Sequence, residues 1–193
     1  MTNIMQSFKK LIGSKIYGGY ICLWTPLESS NLNYIDIFIN LSVLSKNNEV
    51  EKYEISTDAD AWSPKIKLDT KVFEFENSDI QTGINNNILI DKDFDFDIDY
   101  CYKYYDIEKD FLFSNLIGKT IIDVYFLNIG SKEFEPYGVK IILSDGNELI
   151  SVCSTNGTII GYNSFLKDNI ENSKTTIFDK LGRTEYIPIA LIN

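Results

Sequence analysis

Apolar and polar positions along the chain alternate with two different periods, and the switches between them lay out its elements. In Thr2–Leu11, Ile4, Phe8 and Leu11 recur at helical spacing and Gly13 stands just beyond, which predicts a short amphipathic helix. Ile16 to Trp24 predicts a strand, with a bulge expected at Gly18-Gly19. A polar loop from Pro26 to Asn33 leads to Tyr34–Leu44 (YIDIFINLSVL), which alternates in part and predicts a second strand. Ser45-Lys46-Asn47-Asn48 reads as a turn, and Val50–Ser56 as the returning hairpin partner.

The same order recurs later. A helix is expected from about Asp106 to Leu116, then strands at Thr120–Leu127, Gly138–Leu143 and Glu148–Ser154. The last two flank Asp145-Gly146, the strongest short hairpin signal. Phe8, Leu11, Ile12, Gly13, Ile16 and Tyr20 are matched 105 residues later by Phe113, Leu116, Ile117, Gly118, Ile121 and Tyr125, so 6 of the 14 positions from 8 to 21 agree. The pattern therefore predicts an α+β fold, mostly antiparallel sheet, from two similar helix-plus-three-strand units over residues 2–57 and 106–161. Residues 58–105 would be an insertion and 162–193 an extension of one domain. Two copies do not make a solenoid, which needs about three.

Within the insertion, Asp58–Pro64 reads as a turn, Lys65–Phe75 as one or two short strands, and Asn77–Asn87 as a polar loop. Then Asp91, Asp93, Asp95, Asp97 and Asp99 fall on alternate positions, with Phe94, Phe96, Ile98 and Tyr100 between. In an extended chain this puts five carboxylates on one face at spacings of about 6.5–7 Å. Asp is a poor strand former and like charges repel, so the arrangement costs stability unless a cation or basic partner answers it. Three readings follow: a solvated edge strand that blocks aggregation, a patch for a basic protein, or a metal site. Tyr100, Tyr102, Tyr104 and Tyr105 favour the second, because Tyr is enriched in interfaces. The Asp-x-Asp-x-Asp opening fails as a calcium loop, since its sixth residue is Phe96 rather than Gly and its twelfth Tyr102 rather than Glu.

Charge agrees with the second reading. Eighteen Lys and Arg against 28 Asp and Glu leave −10, half of it from the −5 of residues 91–110. Such a balance repels nucleic acid and anionic membranes. Arg183 is the only arginine, so bidentate phosphate recognition is poorly provided for. No apolar run approaches the ~20 residues of a membrane span, and the N-terminus lacks the basic-then-apolar order of a secretion signal, which predicts a cytoplasmic protein. Cys22, Cys101 and Cys153 are odd in number and widely spaced, as expected of reduced thiols.

With no histidine in the chain, Ser-His-Asp and Cys-His catalysis and His-based zinc sites are excluded. No P-loop, GxGxxG or GxSxG motif is present. Paired carboxylates remain, but among 28 acids some pair always looks plausible. The expectation is a protein without enzymatic activity, cofactor or metal. Trp24 and Trp62 read as packing residues more readily than as ligand platforms.

Leu116-Ile117-Gly118-Lys119-x-Ile121, followed by Val139-x-Ile141-x-Leu143-Ser144-Asp145-Gly146-Asn147-x-Leu149, resembles small bacterial domains, some of which act as immunity proteins beside toxin genes. That resemblance covers about 35 residues. It implies a protein that neutralises a toxin by direct binding, and the acidic charge and the Asp/Tyr segment point to a basic one. The residues expected to carry the contact are Asp93, Asp95, Asp97, Asp99, Tyr100, Tyr102, Tyr104 and Asp106. The alternatives are a carbohydrate- or small-ligand-binding or hydrolytic domain using Trp, Tyr and carboxylates, and an assembly subunit.

Overall fold

A computed structural model describes residues 2–26, 36–58, 63–69, 74–77, 80, 99–130, 133–154, 157–178, 180 and 182–192. Helix α1 (Thr2–Leu11) forms where the spacing predicts it, with Lys9 and Lys10 in its last turn, where cations suit the helix dipole. It buries Phe8 and Leu11 and half-buries Ile4 and Met5. The Phe8 ring meets Phe126 edge-on at 5.5 Å, a favoured aromatic geometry.

The first sheet comprises β1 (Lys15–Pro26), β2 (Asp36–Leu44), β3 (Val50–Asp58), β4 (Ser63–Leu68) and β5 (Tyr100–Asp106). The second comprises β6 (Ile121–Ile129), β7 (Pro136–Leu143), β8 (Glu148–Ser154), β9 (Gly157–Tyr162) and β10 (Thr184–Pro188). Their spatial orders are β4-β3-β2-β1-β5 and β10-β6-β7-β8-β9, and every pairing is antiparallel. Each sheet is thus a four-strand meander whose first strand also takes a later strand on its free side. The register shifts between Ile16 and Gly18 in β1, and between Ile121 and Asp123 in β6. The turns match their sequence signals: Asn48 and Gly146 hold φ of 61° and 85°, and the Ser45 and Leu143 N–H groups donate to Glu49 O and Asn147 O, both at 2.9 Å.

The sheets pack face to face, β2 on β9, β3 on β8 and β9, and β4 on β7 and β8, with α1 against β4 and β6. Period-two alternation turns Ile37, Ile39, Leu41 and Val43 of β2 into this core, where they meet a layer including Val139, Ile141, Val152 and Ile160. Each such side chain contributes about 1.5–3 kcal/mol when taken from water. At one end β1 and β6 join through a Lys15–Thr120 bridge.

Two expectations are corrected. The helix expected over 106–116 is absent: β5 runs to Asp106, and only a 3₁₀ turn, Phe113–Leu116, follows. The buried Asp110 carboxylate accepts the N–H groups of Leu112 and Phe113, both at 2.9 Å, and of Ile80 at 3.1 Å. Those side-chain bonds offer the backbone an alternative to the helix. Strand β4 falls where short strands were expected over Lys65–Phe75, but β9 was not expected, and the C-terminal region adds helix α2 (Lys167–Ser173), a π-helical turn (Lys174–Phe178) and β10.

Candidate functional site

The outer face of the first sheet gathers the chemistry. Tyr20, Cys22 and Trp24 alternate along β1 and point to the same side. Pairing sets Trp24 opposite Tyr102 on β5 and Asp36 on β2, Cys22 opposite Tyr104 and Phe38, and Tyr20 opposite Asp106 and Asn40. Beyond them, Asn40 pairs with Glu54 and Glu54 with Lys67. The face grades from an aromatic side at β5 to a polar and charged side at β4.

The rings form a continuous ladder. Trp24 lies 5.1 Å from Tyr100 and 6.4 Å from Tyr102 between centroids. Tyr102 stacks on Tyr104 at 6.4 Å and meets Phe38 at 6.5 Å. Tyr104 meets Tyr20 edge-on at 5.6 Å, and Phe75 closes the end at 6.2 Å from Tyr20. Tyr102 is 55% exposed. Burial, and then the negative charge of Asp36, hold its phenol above the ordinary value, so it stays protonated at neutral pH.

Beside the ladder lies a groove of about 280 Å³, lined by Tyr20, Phe38, Tyr102 and Tyr104 on one side and by Asp36, Glu54, Ser56, Lys65 and Lys67 on the other. Glu54 is buried and pairs with Lys67 at 2.9 Å. The half-buried Asp36 carboxylate accepts the Thr158 N–H of the second sheet at 2.7 Å. Burial raises its pKa in spite of that bond. No lysine or arginine among the described residues pairs with Asp36. Farther along the same face, the buried Asp69 carboxylate accepts the Tyr20 hydroxyl and the Asn40 amide, the latter at 3.0 Å. Burial and the bond to Asp69 push the Tyr20 pKa well up.

Of the residues expected to make the contact, the structure brings Tyr100, Tyr102 and Tyr104 together on this face. Asp93, Asp95 and Asp97 lie outside the described residues. Asp99 is exposed immediately before β5. Its position in the alternation is that of the buried Tyr105, opposite to Tyr102. Asp106 is in the right register, but its carboxylate accepts the Glu108 N–H at 3.0 Å and closes the turn after β5. Asp36, Phe38 and Glu54 were not anticipated. Their signal was the polar phase of β2 and β3, out of step with the apolar residues of the core. Trp24, expected to pack in the core or a loop, is half-buried within the ladder.

Among the described residues no group of three or more Cys, Asp or Glu side chains is placed to hold a metal ion. None of the three cysteines is in a disulfide. No helix among the described residues is long and apolar enough to cross a membrane. Comparison with protein-family models, curated proteins and solved structures gives no match for this chain.

Proposed function

We propose that this protein is a non-catalytic binding module for a basic protein, of the kind that neutralises a toxin by covering it. The observation that carries the reading is the aromatic ladder Tyr100–Trp24–Tyr102–Tyr104, lying open along the last described strand of its sheet. Tyr and Trp anchor protein interfaces because they bury much area at low entropic cost. A net charge of −10 supplies long-range attraction to a cationic surface, which speeds encounter and sets specificity more than it adds affinity.

The test begins with a tagged bait in extract from the source cell. The captured protein, purified, should have a basic isoelectric point and bind stoichiometrically. Its affinity should fall at least about tenfold between ~50 and ~300 mM salt. A partner bound equally well at both salts, or an acidic one, would overturn the reading.

A second reading, a small-ligand site for a neutral sugar, is favoured by the groove itself, where rings and hydrogen-bonding side chains face one another.

The two sheets are, in this reading, descendants of one duplicated unit. Support comes from the 105-residue echo, from register shifts at Ile16/Gly18 and Ile121/Asp123, and from strand orders that correspond one to one. The packing pairs agree, with β3 on β8 flanked by β2 on β9 and β4 on β7.

A further inference from the structure

We propose that the groove between Tyr102 and Asp36 receives an arginine side chain of the basic partner, which makes the partner's anchor a guanidinium rather than generic positive charge. The inference rests on the binding-module reading and adds a site and a specificity to it.

Three features converge on that chemistry. Tyr102, Trp24 and Asp36 occupy one rung of the sheet, so a flat group resting on the ring ladder reaches the carboxylate in the same plane of approach. Asp36 presents a partly desolvated carboxylate with no cationic partner among the described residues. Burying such a group uncompensated is costly, and a cation docking there relieves the cost. Guanidinium is planar and weakly hydrated, stacks on aromatic faces and forks onto carboxylates, whereas an ammonium does neither of the last two. The groove's own lysines do not fill this role. Lys67 is paired with Glu54, and Lys65 stands opposite Ser56 on the far strand. The volume of about 280 Å³ accommodates a side-chain head with its stem and leaves the rim open to the partner's backbone.

The experiment titrates the full chain with a capped tetra-arginine peptide, a capped tetra-lysine peptide and methyl glucoside, following the Trp24 indole N–H by NMR. That resonance is assigned by its loss in Trp24→Phe. The arginine peptide should shift it saturably and bind at least about fivefold tighter than the lysine peptide. Asp36→Asn keeps an oxygen to accept the Thr158 N–H, and should weaken arginine binding at least about tenfold; Tyr102→Ala should do the same. Glu171→Gln, in helix α2 and 59% exposed, should leave it unchanged. Equal affinity for arginine and lysine peptides overturns the proposal, as does full affinity in Asp36→Asn or Tyr102→Ala, or no binding of the arginine peptide. A Trp24 shift with methyl glucoside alone overturns it in favour of a sugar site. A basic protein that binds independently of Asp36 would sink the groove and leave the module standing. A groove that binds arginine while no basic protein is captured would do the reverse.

Discussion

Gly13 and Gly118 hold the same left-handed backbone, at φ of +84° and +83°, on opposite sides of the junction between the two sheets. Gly13 donates its N–H to Ile121 O at 2.7 Å, and Gly118 donates to Ile16 O at 2.8 Å. Ile16 N–H to Lys119 O at 2.8 Å and Ile121 N–H to Ser14 O at 2.9 Å complete the seam. The first strands of the sheets are therefore fastened by backbone geometry that disfavours any side chain at two positions.

Alanine at Gly118 should cost about 1–2 kcal/mol, the strain of a left-handed L-residue, because its Cβ meets nothing nearer than Lys15 Cε at 3.9 Å. At Gly13 the new Cβ would sit 2.6 Å from Lys46 Cε, the end of a flexible side chain that can swing away, so a similar cost is expected. Urea midpoints at unchanged m-value measure both, and Asn at 118 should recover part of the loss. A midpoint unmoved in Gly118→Ala would show that the turn relaxes without the left-handed conformation.

Stability and binding should separate cleanly on the aromatic face. Tyr20→Phe removes a buried donor to the Asp69 carboxylate and should cost about 1–3 kcal/mol in unfolding free energy. Tyr102→Ala removes a side chain that is 55% exposed, so its midpoint should move far less while partner affinity drops. Parallel urea melts and calorimetric titrations distinguish the two. Equal losses of stability in both variants would mean that the ladder is core rather than contact surface.

How much of this face could be read in advance depends on which contacts are local. Strands β1, β2, β3, β6, β7 and β8 announce themselves because one phase of each is apolar and their turns carry Asn or Gly. β9 does not, since GTIIGY is buried on both phases from Thr158 to Tyr162 and so lacks alternation. β10 has only five residues, two of them exposed. The residues from 106 to 116 have a helical composition, yet Asp110 captures the N–H groups a helix would use. The tyrosines at 100, 102 and 104 were legible as a surface, but their neighbours were not. β5 pairs with β1, whose residues lie some 80 positions earlier, and no local pattern encodes that pairing. Trp24 and Asp36 therefore joined the site only through the register.

The acidic run is open to a kinetic test. Changing Asp93, Asp95 and Asp97 to Asn removes three of the 28 acids and leaves every described groove residue as it is. Association with the basic partner should slow and lose part of its salt dependence, while the dissociation rate changes little. Stopped-flow association rates at two ionic strengths measure this. A dissociation rate raised as much as the association rate falls would place these side chains inside the contact instead.

Asp36 should make the protein less stable than it would be with a neutral group, which is the expected signature of a residue retained for binding. Its pKa is raised in the folded chain, chiefly by burial and further by the charge of Glu54, against the opposing bonds from Thr158. Tyr102 also faces it, and Lys67 near the groove is held by Glu54. A raised carboxylate pKa means that the folded state holds the proton more tightly than the unfolded one. Stability from this group therefore falls as pH rises from the unfolded pKa through the folded one, and the penalty is complete above the latter. Asp36→Asn should accordingly be at least as stable as the parent at pH ~7, and the difference should close below about pH 4, where the parent carboxyl is protonated in both states. Urea midpoints of the pair across that range give the answer. A variant less stable than the parent at neutral pH would show that the ionised carboxylate is structural, and its retention would then need no ligand.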